Sequence, residues 1–139
     1  MRKSILIMLV TLITIACVTS CAPAQPTAKE EASVGGYIDI SPEDAKTLIE
    51  TAADIVIIDV SSVYDKGHLP GAINYYVGDG SLDDAIPTLD KGKTYLVYCH
   101  VDSASISGAQ KLVDAGFGKV YRLEGNYRAW VNAGYPTEP

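Results

Sequence analysis

The stretch "YLVYCHVDSASISGAQKL", residues 95–112, decides the fold. Its first residues are apolar or aromatic without interruption up to Cys99, the pattern of a strand covered on both faces. Seven small or polar residues hold the junction. From Ser103 to Ala115, Ile106, Ala109, Leu112 and Val113 then recur at helical spacing, and Gly116 closes the run. A buried strand that passes directly into a helix is half of a parallel crossover unit.

The flanking sequence repeats that alternation. "YIDI" (37–40) reads as a short strand. "SPEDAKTLIE" reads as a helix with Ser41 as N-cap, Pro42 at the first helical position, acids in the first turn and Ala45, Leu48 and Ile49 on its apolar face. "DIVIIDV" (54–60) is a β-branched run expected to be a second buried strand. "KGHLPGAINYY" is a glycine- and proline-rich turn around His68 with a short apolar piece at 72–76, and "SLDDAIPTL" (81–89) holds one or two helical turns. "KVYRL" (119–123) is a further strand, and "NYRAWVNAG" (126–134) a last helix ended by Gly134. Strands alternating with helices predict an α/β domain with a mainly parallel central sheet and helices on both faces. Ligands of such sheets bind at the carboxyl ends of the strands, where Cys99 stands.

A loop that leaves a strand and enters a helix can turn successive backbone N–H groups inward, and the helix start adds unpaired donors and partial positive charge. A thiol in that cup has its thiolate favoured, and the thiolate is the reactive form. Cys99 is therefore a candidate nucleophile, with His100, Val101, Asp102, Ser103, Ala104 and Ser105 as the cup. The junction is equally compatible with Cys99 ending a core strand as a small hydrophobe. His100 either holds a proton beside the thiol or points to solvent. Ser103 and Ser105 either donate hydroxyls into the cup or cap the helix, and Asp102 is a further N-cap candidate. Asp59 is expected to tie loops at the sheet's carboxyl edge, His68 to serve its turn, and Trp130 to be core. The two histidines give no metal site.

The N-terminus has a different character. Arg2 and Lys3 precede a twelve-residue run, Ile5–Ala16, apolar but for Thr11 and Thr14, short of the ~20 that span a bilayer but suited to a signal-peptide core. "VTSC" (18–21) resembles a bacterial lipobox, which implies a signal peptide over 1–20 and lipidation of Cys21; "TIAC" ending at Cys17 is a poorer match. Residues 21–36 are rich in Pro, Ala, charge and Gly and read as a flexible tether, leaving 37–139 as one folded domain. The expected location is extracytoplasmic, with the chain anchored to a membrane through lipid at the cell surface or in the periplasm. Loss of residues 1–20 takes 2 of the 11 bases and none of the 17 acids, leaving 9 against 17, a formal −8. That balance argues against nucleic acid as a partner. It also leaves Cys99 as the lone free thiol, without an internal disulfide partner.

From Tyr37 to Pro136 the chain resembles the rhodanese-like domains of the sulfurtransferase family. The resemblance rests on "ISPEDAKTLIE", "IVIIDV", "YDKGHLPGAIN", "LVYC" and "GAQKLVDAGFGKVYRLEGNYRAWVNAGYP", in the family's order and spacing. It implies that Cys99 takes a sulfur atom from a small donor as a persulfide and passes it to a thiol or other thiophilic acceptor, with no cofactor. The related phosphatases carry a longer loop and an arginine that clamps phosphate; no arginine lies between Cys99 and Arg122. Many active members read Cys-Arg-x-Gly-x-Arg, whereas both arginines are absent here, Asp102 brings a negative charge, and Ser61 stands where an arginine often follows the second strand. A charge-assisted hydrogen bond contributes about 1.5–3 kcal/mol, so losing one weakens an anionic donor roughly 10- to 100-fold. Weak use of thiosulfate, a dianion, is expected. A binding or sulfide-sensing module with an idle cysteine is the alternative, and a redox role through mixed disulfides is a third.

Overall fold

In the computed structural model, which describes residues 36–139, strand and helix alternate as the pattern predicts. The expected leader, Cys21 and the tether up to residue 35 lie outside the described residues. The order is β1 (Ile38–Ile40), α1 (Pro42–Thr51), β2 (Ile55–Asp59), β3 (Ile73–Asn74), α2 (Ser81–Ala85), β4 (Thr94–Tyr98), α3 (Asp102–Asp114), β5 (Val120–Leu123) and α4 (Asn126–Asn132). Short 3-10 turns occupy Tyr64–Lys66 and Ile86–Thr88.

The five strands form one parallel sheet in the order β1-β5-β4-β2-β3, so β4 is central. Its neighbour β2 pairs from Ile55 opposite Thr94 to Asp59 opposite Tyr98. That register brings the carboxyl ends of β2 and β4 to one level, with Asp59 beside the residue that precedes Cys99.

Alternation along the strands builds two cores. Tyr95, Val97 and Cys99 face one side with Ile58 and Val60, under Leu82 of α2 and Ala109 and Leu112 of α3. Leu96 and Tyr98 face the other side with Ile57 and Leu123, under Ala45 of α1 and Trp130 of α4. Both faces are covered, which is why β2 and β4 read as continuous apolar runs rather than alternating ones. Helix α1 starts as its residues dictate: the Asp44 N–H donates to Ser41 Oγ at 3.1 Å, and Pro42 opens the helix.

In α3 the expected apolar face needs correction. Ile106 is 39 % exposed, and the buried positions are Ser105, Gly108, Ala109 and Leu112. Ala109 and Leu112 are buried as expected and Val113 is half-buried, while Ser105 and Gly108 take the inward place expected of Ile106. Gly108 sets the phase: a Cβ there would stand 2.9 Å from Val60 Cγ1, so the helix approaches the sheet most closely where it has no side chain.

The glycine-rich turn before β3 is held by His68. Its ring stacks on Tyr64 at 3.8 Å, its Nδ1 lies 3.3 Å from the Tyr64 carbonyl, and its backbone exchanges two 2.9 Å hydrogen bonds with Glu138. Its part is structural, as its turn context predicts.

Candidate active site

Cys99 follows β4 directly, and both of its backbone polar groups are held by the start of α4. Its N–H donates to Asn126 Oδ1 at 3.0 Å, and its carbonyl accepts from the Tyr127 N–H at 3.0 Å. Asn126 can do this because it adopts a left-handed backbone (φ +58°), a conformation asparagine tolerates better than most residues. Its amide nitrogen donates in turn to Asp102 Oδ1 at 3.1 Å. One side chain therefore links the end of β4, the start of α3 and the start of α4. "EGN" at 124–126 carries the signal for this role, since Gly-Asn before a helix marks a turn.

The cup is shorter than expected. The chain becomes helical at Asp102, three residues after Cys99, so only His100 and Val101 remain as loop and residues 102–105 form the first turn of α3. Val101 occupies the N-cap position without a side-chain cap bond and is 59 % exposed. Neither Asp102 nor Ser103 is the N-cap: Asp102 is the first helical residue, and Ser103 is an exposed helical residue after it. Ala104 is half-buried against the core, and Ser105 is buried, its hydroxyl donating to the Asp102 carbonyl at 2.9 Å. Asp102 needs no helix amides because its carboxylate is already engaged from below.

That engagement comes from Arg122. The guanidinium, 7 % exposed on β5, donates from Nη1 to Asp102 Oδ1 at 2.5 Å and from Nε to Asp39 Oδ1 at 2.6 Å, and lies 3.4 Å from Ser105 Oγ. The two carboxylates hold the Arg122 pKa well above its ordinary value. Asp102 thus shares one guanidinium with Asp39, and the three groups together stay net negative. Sequence separation hid this cluster, since the β1–β5 register sets Asp39 opposite Arg122 and the packing of α3 on β5 brings Asp102 to them.

Cys99 itself is 3 % exposed. Burial pushes its thiol above the ordinary value; the N–H groups of Val101 and His100 favour the thiolate and oppose that shift, and the Asp59 carboxylate adds to it. These two favourable effects do not overcome desolvation. His100 packs against Tyr127 with ring centroids 4.3 Å apart, and its Nε2 lies 3.2 Å from the Gly67 carbonyl and 3.9 Å from Asp59 Oδ2. It does not point freely to solvent. Gly67 has φ +132°, and a Cβ there would collide with the Tyr127 hydroxyl. Asp59 is fully buried; its Oδ1 accepts from the Ser61 N–H at 2.8 Å, which ties the loop as expected. Ser61 is buried too, and its carbonyl accepts from Asn74 Nδ2 at 2.8 Å. Among the described residues, no group of three or more His, Cys, Asp or Glu side chains is arranged to hold a metal ion.

The family model for the rhodanese-like domain matches residues 41–133, spanning β2, the Cys99 junction and α4. The chain belongs to the rhodanese-like family. This rhodanese-like domain is 37% identical over 103 residues to the thiosulfate sulfurtransferase GlpE of Coxiella burnetii, covering 73% of this chain and 92% of that one. It is 32% identical over 99 residues to GlpE of Pseudomonas savastanoi, covering 71% and 91%. Among solved structures, the rhodanese-like domain of the Alr3790 protein of Anabaena superposes with a TM-score of 0.64 at 31% identity, over 72% of this chain and 77% of that one. A protein of unknown function from Rhodopseudomonas palustris, described as a possible tyrosine phosphatase, superposes at 0.63 with 27% identity, over 73% and 85%.

Two outcomes follow from this geometry. Alkylation of Cys99 by iodoacetamide should be slower at pH 7 than that of a free cysteine and should still be rising above pH 9, because burial favours the protonated thiol below its raised pKa. Arg122→Met keeps the packed stem and removes the charge. With Asp39 and Asp102 partly open to water, the expected loss is about 1–2 kcal/mol in urea unfolding.

Proposed function

We propose that this rhodanese-like domain is a sulfurtransferase that carries sulfur as a persulfide on Cys99. The observation that supports it is the placement of the Cys99 thiol at the carboxyl end of the central strand, just before the start of α3, in a chain of the rhodanese-like family. In the reaction, the Cys99 thiolate attacks the outer sulfur of a donor. A Cys99 S–S bond forms, the donor's bond to that sulfur breaks, and its electron pair leaves with the remainder of the donor. Attack on the outer persulfide sulfur by an acceptor thiolate then forms the product bond and returns the Cys99 thiolate.

The same geometry argues for weak turnover with thiosulfate. Arg122 is the arginine nearest the loop in sequence, and its donors are taken by Asp39 and Asp102. A dianion at Cys99 therefore meets amides and the buried Asp59 carboxylate rather than a free guanidinium. Phosphatase chemistry is disfavoured on the same ground, because it needs an arginine free to clamp phosphate. The relatives named thiosulfate sulfurtransferase GlpE support sulfur transfer as the reaction class.

The near-complete burial of Cys99 favours one second reading, a binding or sulfide-sensing module in which the thiol does not turn over. Intact-mass analysis after polysulfide treatment separates the two. Gain of one sulfur atom in the wild type but not in Cys99→Ser supports the carrier, and a thiol that alkylates but never gains sulfur overturns it. Thiosulfate:cyanide turnover is expected to be low, and turnover matching that of GlpE run in parallel would contradict the charge argument.

We further propose that Cys21 is lipidated after removal of residues 1–20, so that residues 21–36 tether the domain outside the cytoplasm. Palmitate labelling in a bacterial host should be lost in Cys21→Ser; labelling that persists in this variant counts against the anchor.

A further inference from the structure

Asp59 Oδ2 is the one buried side-chain oxygen or nitrogen among the described residues that has no hydrogen-bond partner. A buried polar atom left unpaired is costly, so its surroundings merit inspection. It faces His100 Nε2 at 3.9 Å, and that nitrogen is also 3.2 Å from the Gly67 carbonyl. On the other side of the imidazole lies the Tyr127 ring. The Gly67 carbonyl is within hydrogen-bond distance of Nε2, and the Asp59 carboxylate is close enough to interact with a charge on the ring.

We propose that His100 and Asp59 form a charge switch that controls the Cys99 sulfur, with protonated His100 standing in for the absent loop arginine. This inference rests on the sulfur-carrier reading of Cys99 and adds its regulation. With His100 neutral, the Asp59 carboxylate is unopposed and disfavours a negative sulfur beside it. With His100 protonated, the pair is neutral overall, and a thiolate, a persulfide anion or an anionic donor no longer meets a net negative charge. Coupling of this kind is reciprocal, so a negative sulfur on Cys99 must in turn favour protonated His100.

The other charged and titratable groups around the pair are accounted for. At the end of β4, the Cys99 thiol adjoins His100 in sequence, and the Tyr98 hydroxyl, which accepts from the Leu69 N–H at 2.9 Å, has its pKa raised first by burial and then by the Asp59 carboxylate near it. From the 3-10 turn, Tyr64 senses Asp59 as well. From α4, Tyr127 presents its ring. Arg122 is occupied by Asp39 and Asp102, and the Glu138 carboxylate sits 3.6 Å from His68.

Proton NMR titration of the purified full chain tests the switch. The chain has two histidines, so the His100 resonance is assigned by its loss in His100→Gln. Asp59→Asn should lower the His100 midpoint by about one pH unit, a tenfold loss in proton affinity. Loading Cys99 with sulfur from polysulfide should raise it. His100→Gln should slow alkylation of Cys99 near pH 6 by about tenfold while leaving the rate above pH 9 little changed. Should Asp59→Asn fail to fold, the loading and alkylation arms still decide. A His100 midpoint that does not respond to loading, together with an alkylation profile unchanged in His100→Gln, overturns the switch. Failure of polysulfide to add sulfur to Cys99 overturns the carrier reading instead, and the Asp59→Asn and alkylation arms then decide the switch independently.

Discussion

The site depends on how the end of β4 is held. A parallel strand leaves its last residue with an N–H and a carbonyl that the sheet no longer pairs, and Cys99 stands there. Asn126 and Tyr127 satisfy both groups from the start of α4. Without them the junction would bury two unpaired backbone groups, which proteins rarely tolerate. With them the position of the sulfur is fixed by the sheet rather than by the loop.

Electrostatics then set the limits on that sulfur. Burial outweighs the amides, so the resting thiol is protonated more readily than in water. The strongest cation nearby, Arg122, stabilises the base of α3 instead of facing a ligand. The pair with Asp102 and Asp39 joins β5, α3 and β1, elements far apart in sequence, and so favours the loop geometry by holding what lies beneath it. Charge that other members of the family place at the mouth of the cup is spent here on structure. What remains at the mouth is a histidine with a buried carboxylate behind it.

Most of the architecture was legible in the residues. Continuous apolar runs placed β2 and β4 and the 3.6-residue period placed α1 and α3 within a residue or two, and Ser41, Pro42 and Gly134 marked helix ends through local backbone chemistry. The phase of α3 was not legible, because Ile106 and Ser105 compete for the inward position. The choice was made by Gly108 meeting Val60 across the interface. The cup was read as six residues because small polar residues are common to loops and to helix starts, and only the helix geometry tells them apart.

The sequence by itself determined the parallel α/β order, the family motifs and the location of a single thiol at the carboxyl end of a buried strand. These follow from local pattern and chain connectivity. Tertiary structure alone decided that Asp102 is paired with Arg122, that Asn126 clamps Cys99, that His100 is held between Tyr127 and Gly67, and that Asp59 Oδ2 lies unpaired behind it. Each of these joins residues brought together by the register of β5, β4 and β2. Distance in space between charged groups sets their energy, and sequence separation carries almost no information about that distance.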